Sequence, residues 1–192
     1  MIAYKGFNQN LCCTKGRGTF KYEIGKIYTE KECKTARNGF HCVEEPIRVL
    51  DWYEDGRFCI VEIDEDINEK DDKLSATKMT ILKELDIIQL ITHECLWIQK
   101  HPNRQTSNRI LQETGISYNT FLVVRGKDPK AAGAKDTTLF LLQEKNNSKD
   151  IKRITVIFID GFQYKPDTYY DINEKEVIAN DGKRKIKKLK NA

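Results

Sequence analysis

The sequence has few of the residues that most often carry chemistry, with three histidines, two methionines and two tryptophans among 192 residues. It contains no Walker loop, dinucleotide glycine fingerprint, nucleophile elbow or His-Glu-x-x-His helix. The four prolines and eleven glycines form no linker. These absences favour a protein that acts by binding rather than by catalysis, and we expect neither a cofactor nor a metal site.

Long hydrophobic runs are also missing. The longest, from Leu85 to Ile98, is interrupted by polar residues, so the sequence predicts no membrane helix. The first residues show no basic stretch followed by an apolar one, which argues against a secretory signal. Without such a signal, the six cysteines are expected to be reduced thiols. The sequence therefore predicts a cytoplasmic protein with no membrane partner.

The charge of the chain is unevenly distributed. Charged residues make up 32% and hydrophobic residues 39%, and the net charge is +4. Six of the 33 basic residues fall within residues 182–192, where no acid occurs: Lys183, Arg184, Lys185, Lys187, Lys188 and Lys190. Such a block can bind phosphate polyanions, including nucleic acid, or can simply be a solvated end.

Hydrophobic patterning predicts an α+β fold, with N-terminal mixed strands and two helices packed on a C-terminal antiparallel sheet. We expect an N-terminal α+β part over residues 1–100 and a C-terminal β part over 116–180. Residues 100–116 would be the seam, and residues 181–192 a flexible basic tail. The two parts could also form one domain.

Four local predictions bear on this fold. Pro46 suits the first turn of a helix, and Asp86 suits the N-cap of a helix over residues 87–99. Residues 62–72 hold seven acids and one lysine, which indicates a solvated loop. A polar stretch over residues 103–115 would contain a short helix around Ile110. Strands are expected over most of the remaining chain.

Several N-terminal segments suggest a ligand cleft. They are Tyr4-Lys5-Gly6, the turn Gly25-Lys26, and Gly39-Phe40-His41-Cys42 followed by a helix ending in Trp52-Tyr53. In this order they resemble ADP-ribosyltransferase-like folds. The resemblance implies a cleft for NAD or another nucleotide, lined by Tyr4, Lys5, Gly6, Phe40, His41 and Trp52. It also makes Glu144 and Glu176 the candidates for a catalytic glutamate. The alternative is that the aromatic residues belong to the core and the glycines to turns.

A second resemblance spans most of the chain. Its landmarks are Lys5-Gly6-Phe7, Gly39-Phe40-His41, Asp160-Gly161 and Lys165-Pro166-Asp167-Thr168-Tyr169-Tyr170. They resemble a phage and prophage family whose members often carry a central repeat block. Only residues 130–135 are similar to that block here. The resemblance implies a mobile-element protein in a bacterial cytoplasm that binds host machinery or its nucleotide signals.

The sequence thus leads to one main functional hypothesis and two others. The first is a non-enzymatic phage-type binding protein, plausibly an anti-defence inhibitor, that blocks a host protein or sequesters a nucleotide. The second is an ADP-ribosyltransferase-like or NAD-processing enzyme. The third is a nucleic-acid-binding protein that uses the basic tail.

Overall fold

The computed structural model describes residues 1–14, 18–35, 37–70 and 72–178. The chain divides into two compact units, Met1–Arg109 and Ile110–Ala192. About 50% of the residues lie in strands and 12% in helices. The prediction of an α+β fold is therefore wrong, because strands dominate both units.

Unit 1 is built around an antiparallel sheet. Its strands are β1 (Ile2–Phe7), β2 (Cys12–Cys13), β3 (Phe20–Lys21), β4 (Ile27–Thr29), β5 (Phe40–Cys42), β6 (Arg57–Lys70) and β7 (Lys73–Leu85). The main sheet has the order β1-β6-β7-β4, and β5 also pairs with β7. Strands β2 and β3 form a separate two-stranded sheet.

The strand path of unit 1 returns to its first strand. Just after β5, Val43 forms an antiparallel bridge with Tyr4 of β1, with N···O distances of 2.8 and 2.9 Å. Strands β1, β6, β7 and β5 therefore surround one apolar interior. Alternation along β1 directs Ala3 and Phe7 into that interior, where both are fully buried.

Two helices accompany this sheet. Pro46–Asp51 forms a 3-10 helix with Pro46 at its start, and helix α1 spans Ile87–Lys100. The predicted cap of α1 is confirmed, since Asp86 Oδ1 accepts a hydrogen bond from Gln89 N and Gln89 Oε1 accepts one from Asp86 N. This reciprocal capping box satisfies two backbone donors and contributes about 1 kcal/mol.

The prediction of an acidic loop over residues 62–72 is wrong. Strand β6 continues to Lys70 and pairs with β7 along its whole length, with register shifts after Ile60 and Asp64. The acidic side chains are exposed on this hairpin. The run of acids predicted that these side chains are exposed. It did not predict the backbone conformation, because a solvent-facing strand accepts acidic side chains as readily as a loop does.

Unit 2 consists of β8 (Ile110–Ser117), β9 (Phe121–Gly133), β10 (Thr138–Glu144), β11 (Ile151–Phe158), β12 (Tyr169–Tyr170) and β13 (Glu176–Val177). The order is β11-β10-β9-β12-β13, with β8 also on β9. The helix predicted around Ile110 is wrong, since Ile110 begins β8. The described residues of unit 2 contain no helix, so both of the described helices lie in unit 1.

The sheet of unit 2 is mixed rather than antiparallel. Ile110 pairs with Val123 and Phe121 with Thr138, both in parallel register, although the connections between these strands are short. Parallel neighbours normally need a long crossover. Here β8 bends at Glu113, which has φ +60° and whose carboxylate accepts hydrogen bonds from Lys127 N (3.0 Å) and Asp128 N (3.2 Å). The bends let the chain wrap back beside itself.

Candidate functional site

Unit 1 contains a cleft of about 1090 Å³, called here the Lys5 cleft. It is bordered by β1, β3, β5, the end of the 3-10 helix and the start of β7. Its lining includes Lys5, Phe20, Arg37, His41, Trp52 and Lys73. Its volume lies near the upper end of the range of ordinary small-molecule sites.

Lys5 is the most unusual residue of the cleft. Its position on β1 places it on the same side as Ala3 and Phe7, so it is only 6% exposed. Its ammonium donates a hydrogen bond of 2.5 Å to the carbonyl of His41 and lies 5.6 Å from the ring centroids of both Phe7 and Tyr22. Among the described residues, no carboxylate lies within 4.0 Å of it.

This environment leaves the Lys5 charge largely without compensation. A carbonyl and two ring faces stabilise an ammonium, but each does so less than a carboxylate at contact distance. Buried lysines are normally paired, because removing an ammonium from water is costly. Lys5 is therefore a buried ammonium that lines the cleft and has no carboxylate partner among the described residues.

Two titratable groups beside Lys5 are held in their neutral forms. Burial, Lys5 and Lys73 lower the pKa of His41, so its ring is neutral at pH 7. Burial raises the pKa of the Cys42 thiol to about 12, although nearby Lys5 acts in the opposite direction. Cys42 is consequently a thiol and not a thiolate at neutral pH.

The balance of charge around the cleft is positive. Lys5, Arg37 and Lys73 line it, and Glu30 is its single carboxylate residue among the part of the chain that is described. Arg37 and Lys73 are more exposed than Lys5 and so remain hydrated. The field inside the cleft attracts anions and is strongest where water is excluded, beside Lys5.

Two aromatic side chains of the cleft face solvent. Trp52 is 43% exposed and Phe20 is 49% exposed. The ammonium of Lys73 lies 4.3 Å from the centre of the Trp52 ring. Phe40 and Tyr22 are buried in the apolar interior. The cleft therefore offers two exposed ring surfaces in addition to its cations, which suits a planar ligand.

Tyr4 and Gly6 shape the wall formed by β1. The Tyr4 hydroxyl lies 3.0 Å from Nδ1 of His93 on α1, and the two rings meet edge to face. Gly6 allows Tyr53 to approach closely, since a Cβ atom at Gly6 would lie 2.8 Å from Cδ2 of Tyr53. Both residues border the cleft, but the described side-chain contacts of Tyr4 are structural.

The structure brings all six residues of the predicted cleft together: Tyr4, Lys5, Gly6, Phe40, His41 and Trp52. Their role in ligand binding stays a prediction. The alternative placement in the core holds for Phe40 and not for Trp52. The sequence did not single out Arg37, Lys73 or Phe20. The strand pattern around Phe20 could have indicated a place in the cleft, whereas no sequence feature near Lys73 indicates one.

The other predicted residues fall elsewhere. Glu144 and Glu176 belong to unit 2, where Glu144 is ion-paired with Arg125 at 2.7 Å and Glu176 with Lys165 at 2.9 Å. The basic residues Lys183, Arg184, Lys185, Lys187 and Lys188 lie outside the described residues. Within the described residues, no group of three or more histidine, cysteine, aspartate or glutamate side chains could hold a metal ion.

Comparison with known proteins adds one similarity. A family model described as a domain of unknown function (DUF7666) matches residues 1–93. The match includes every residue that lines the Lys5 cleft and ends within α1, so it includes no part of unit 2. No curated protein matches the chain. No solved structure matches it either.

No helix in the described residues is both long enough and apolar enough to cross a membrane.

Proposed function

We propose that this protein is a non-enzymatic binding protein that sequesters a small anionic ligand of the nucleotide type in the Lys5 cleft. By removing that ligand in a bacterial cytoplasm, it would interfere with a host process, as the resemblance to phage and prophage proteins implies. The observation that carries the proposal is the burial of Lys5 with no carboxylate partner among the described residues. A ligand phosphate would supply the missing negative charge.

The shape of the cleft supports a nucleotide rather than a bare anion. A phosphate alone would fill a small part of 1090 Å³. The exposed rings of Trp52 and Phe20 provide surfaces on which a base can stack, and base–aromatic stacking contributes about 1–3 kcal/mol per base. Phosphate at Lys5 and a base near the cleft opening would use both features.

The state of the cleft side chains supports binding over turnover. The Cys42 thiol is protonated at neutral pH, so it offers no thiolate nucleophile to a ligand in the cleft. The two glutamates considered for catalysis are engaged in ion pairs of unit 2. An enzyme of the ADP-ribosyltransferase type would need a carboxylate at the ligand, and Glu30 is the candidate that the cleft itself supplies.

Isothermal titration calorimetry with a panel of nucleotides and inorganic phosphate tests the proposal. We expect one or more nucleotides to bind wild-type protein more tightly than phosphate, and Lys5→Met to weaken that binding at least about tenfold, the loss of roughly 1.4 kcal/mol. Lys83→Met, which removes an exposed lysine from β7, is the matched control and should bind normally.

The fate of the bound nucleotide separates the alternatives. Chromatography of the ligand released by denaturation should recover it intact, whereas a cleaved product would replace sequestration by the NAD-processing hypothesis. If no nucleotide binds, the cleft proposal is wrong, and capture of one host protein in stoichiometric amount would favour occlusion. Salt-dependent nucleic-acid binding that disappears on deletion of residues 182–192 would favour the tail hypothesis.

A further inference from the structure

Helix α1 carries a fully buried carboxyl group, that of Glu94. Its Oε2 accepts a hydrogen bond of 2.9 Å from Ile47 N, at the start of the 3-10 helix. Its Oε1 is buried and has no hydrogen-bond partner among the described residues. Buried carboxyl oxygens are rarely left in this condition, because the lost hydration is not replaced.

The neighbouring acid is Glu45, which is 7% exposed and immediately precedes the 3-10 helix. Its Oε1 accepts a 2.6 Å hydrogen bond from Ser107 N, and its Oε2 accepts one of 2.7 Å from Nε of Arg48. Glu45 and Glu94 therefore join three segments of unit 1: α1, the 3-10 helix and the stretch that follows α1.

Two carboxylates in one buried site cannot both be charged without a large cost. Burial first, and the charge of Glu45 second, raise the pKa of Glu94, while Ile47 N and Arg48 act in the opposite direction. A proton on Oε1 would remove the repulsion and make this oxygen a hydrogen-bond donor toward Glu45. The partnerless oxygen is thus explained if the pair holds one proton.

Other charged and titratable groups face this pair. Arg48 also forms an ion pair of 3.2 Å with Asp72, and Asp51 adds to its negative surroundings. Tyr4 on β1 and Cys95 on α1 both have pKa values raised by burial and then by the charge of Glu94. Arg48 is the cation beside Glu94, and it also interacts with Glu45, Asp72 and Asp51.

The 3-10 helix held by this pair forms part of the cleft wall. Trp52 N and Tyr53 N both donate to the carbonyl of Val49, at 3.2 and 3.0 Å. Tyr53 in turn packs closely on Gly6 of β1, the residue next to Lys5. A change at the start of this six-residue helix is therefore transmitted over about two turns to residues that border the cleft.

We propose that Glu45 and Glu94 share a proton and act as a proton-dependent positioning pair for the cleft wall that carries Trp52 and Tyr53. With the proton bound, the pair holds the 3-10 helix against α1. When the proton leaves, two adjacent buried carboxylates repel each other, and the helix end shifts. The inference rests on the proposed function where it treats this wall as part of a binding site. The contact between the acid pair and the 3-10 helix is independent of that function.

The test uses Trp52 as its own reporter. In a Trp97→Phe background Trp52 is the single tryptophan, and its fluorescence is followed while the pH is raised in the absence of any ligand. We expect one transition above the ordinary carboxyl range, absent in Glu94→Gln, whose amide keeps the acceptor for Ile47 N and supplies a permanent donor. Glu44→Gln, a matched change of the adjacent and more exposed acid, should keep the transition.

Ligand affinity is measured as a second, separate readout. The nucleotide bound by wild-type protein should bind more weakly above the transition, and equally well on both sides of it in Glu94→Gln. A fluorescence transition without nucleotide binding would keep the positioning pair and reject the proposed function. A Trp52 signal that does not change with pH, or that changes identically in Glu94→Gln, would overturn the inference. If Glu94→Gln does not fold, Glu45→Gln makes the same test from the other acid.

Discussion

Among the described residues, each unit buries one cation, and the two cations differ in whether a carboxylate pairs with them. Arg125 of unit 2 is 3% exposed, pairs with Glu144 at 2.7 Å and donates to the carbonyl of Lys149 at 2.9 Å. Lys5 of unit 1 is 6% exposed and has a carbonyl and two aromatic rings around it. Arg125 is thus a paired buried cation, whereas Lys5 has no carboxylate partner among the described residues.

The difference also reflects where each residue sits. Arg125 is on β9, and the adjacent strand β10 supplies Glu144 from within the same sheet. Lys5 is on β1 and lines the Lys5 cleft, whose volume of about 1090 Å³ is large enough to admit an anion. In the first case folding completes the ion pair, and in the second case folding leaves it incomplete. The predictions below alter one member of this comparison at a time.

The largest effect should follow from making Arg125 resemble Lys5. Glu144→Gln removes the carboxylate and leaves the guanidinium buried, so we expect a loss of about 3 kcal/mol in the free energy of unfolding. Urea denaturation measures it. Glu176→Gln breaks the exposed pair with Lys165 in the same unit and should leave the denaturation midpoint unchanged. Equal effects of the two changes would contradict the distinction between buried and exposed pairs.

Removing the Lys5 charge should act in the opposite direction. Lys5→Met keeps an apolar stem of similar length and eliminates the uncompensated ammonium, so the ligand-free protein should gain about 2 kcal/mol of stability. Urea denaturation without ligand is the measurement, with Lys83→Met as the exposed control. A marked loss of stability in Lys5→Met would show that Lys5 is a structural cation like Arg125.

Glu94 provides the acidic counterpart of the comparison. Its raised pKa means that the folded state holds the proton more tightly than the unfolded state does. The resulting stabilisation is complete below the ordinary carboxyl pKa of 4.5 and is lost as the pH rises through the higher folded pKa. Wild-type stability should therefore fall, relative to Glu94→Gln, by up to about 1.4 kcal/mol per pH unit within that window. Parallel pH profiles of the two proteins would reject this.

The smallest effect is expected at a cation that water can reach. Lys73 is partly exposed, and its ammonium lies 4.3 Å from the centre of the Trp52 ring. Lys73→Met should change the free energy of unfolding by less than about 0.5 kcal/mol. It should nevertheless reduce the salt dependence of nucleotide binding, because it removes one positive charge from the cleft. Calorimetry at two salt concentrations measures that change.

Local patterning predicted the elements that depend on near neighbours. The N-cap at Asp86 and the proline-initiated helix at Pro46 both appear in the structure. These features depend on backbone donors and on periodicity within about a dozen residues. The fold class was wrong because the acidic stretch over residues 62–72 and the polar stretch around Ile110 form strands, which long-range pairing determines.

The parallel strands of unit 2 had no adequate signal in the sequence. Short connections ordinarily predict antiparallel neighbours, and turn residues therefore favoured hairpins. At the register shift between β8 and β9, Glu113 has a positive φ and accepts hydrogen bonds from two backbone N–H groups of β9. A glutamate in a strand carries no local mark of such a role.

For the candidate site, the sequence by itself determined which N-terminal residues have the chemistry to bind a nucleotide, because side-chain type is fixed by the chain. It also provided their order, through the resemblance that named the six residues of the cleft. Only the tertiary structure decided that Lys5 is buried with no carboxylate partner among the described residues. It also decided that Trp52 is exposed while Phe40 is not. The burial of Glu94 beside Glu45 was likewise decided at that level. Burial and pairing depend on contacts between residues far apart in the chain, and composition and periodicity do not encode those distances.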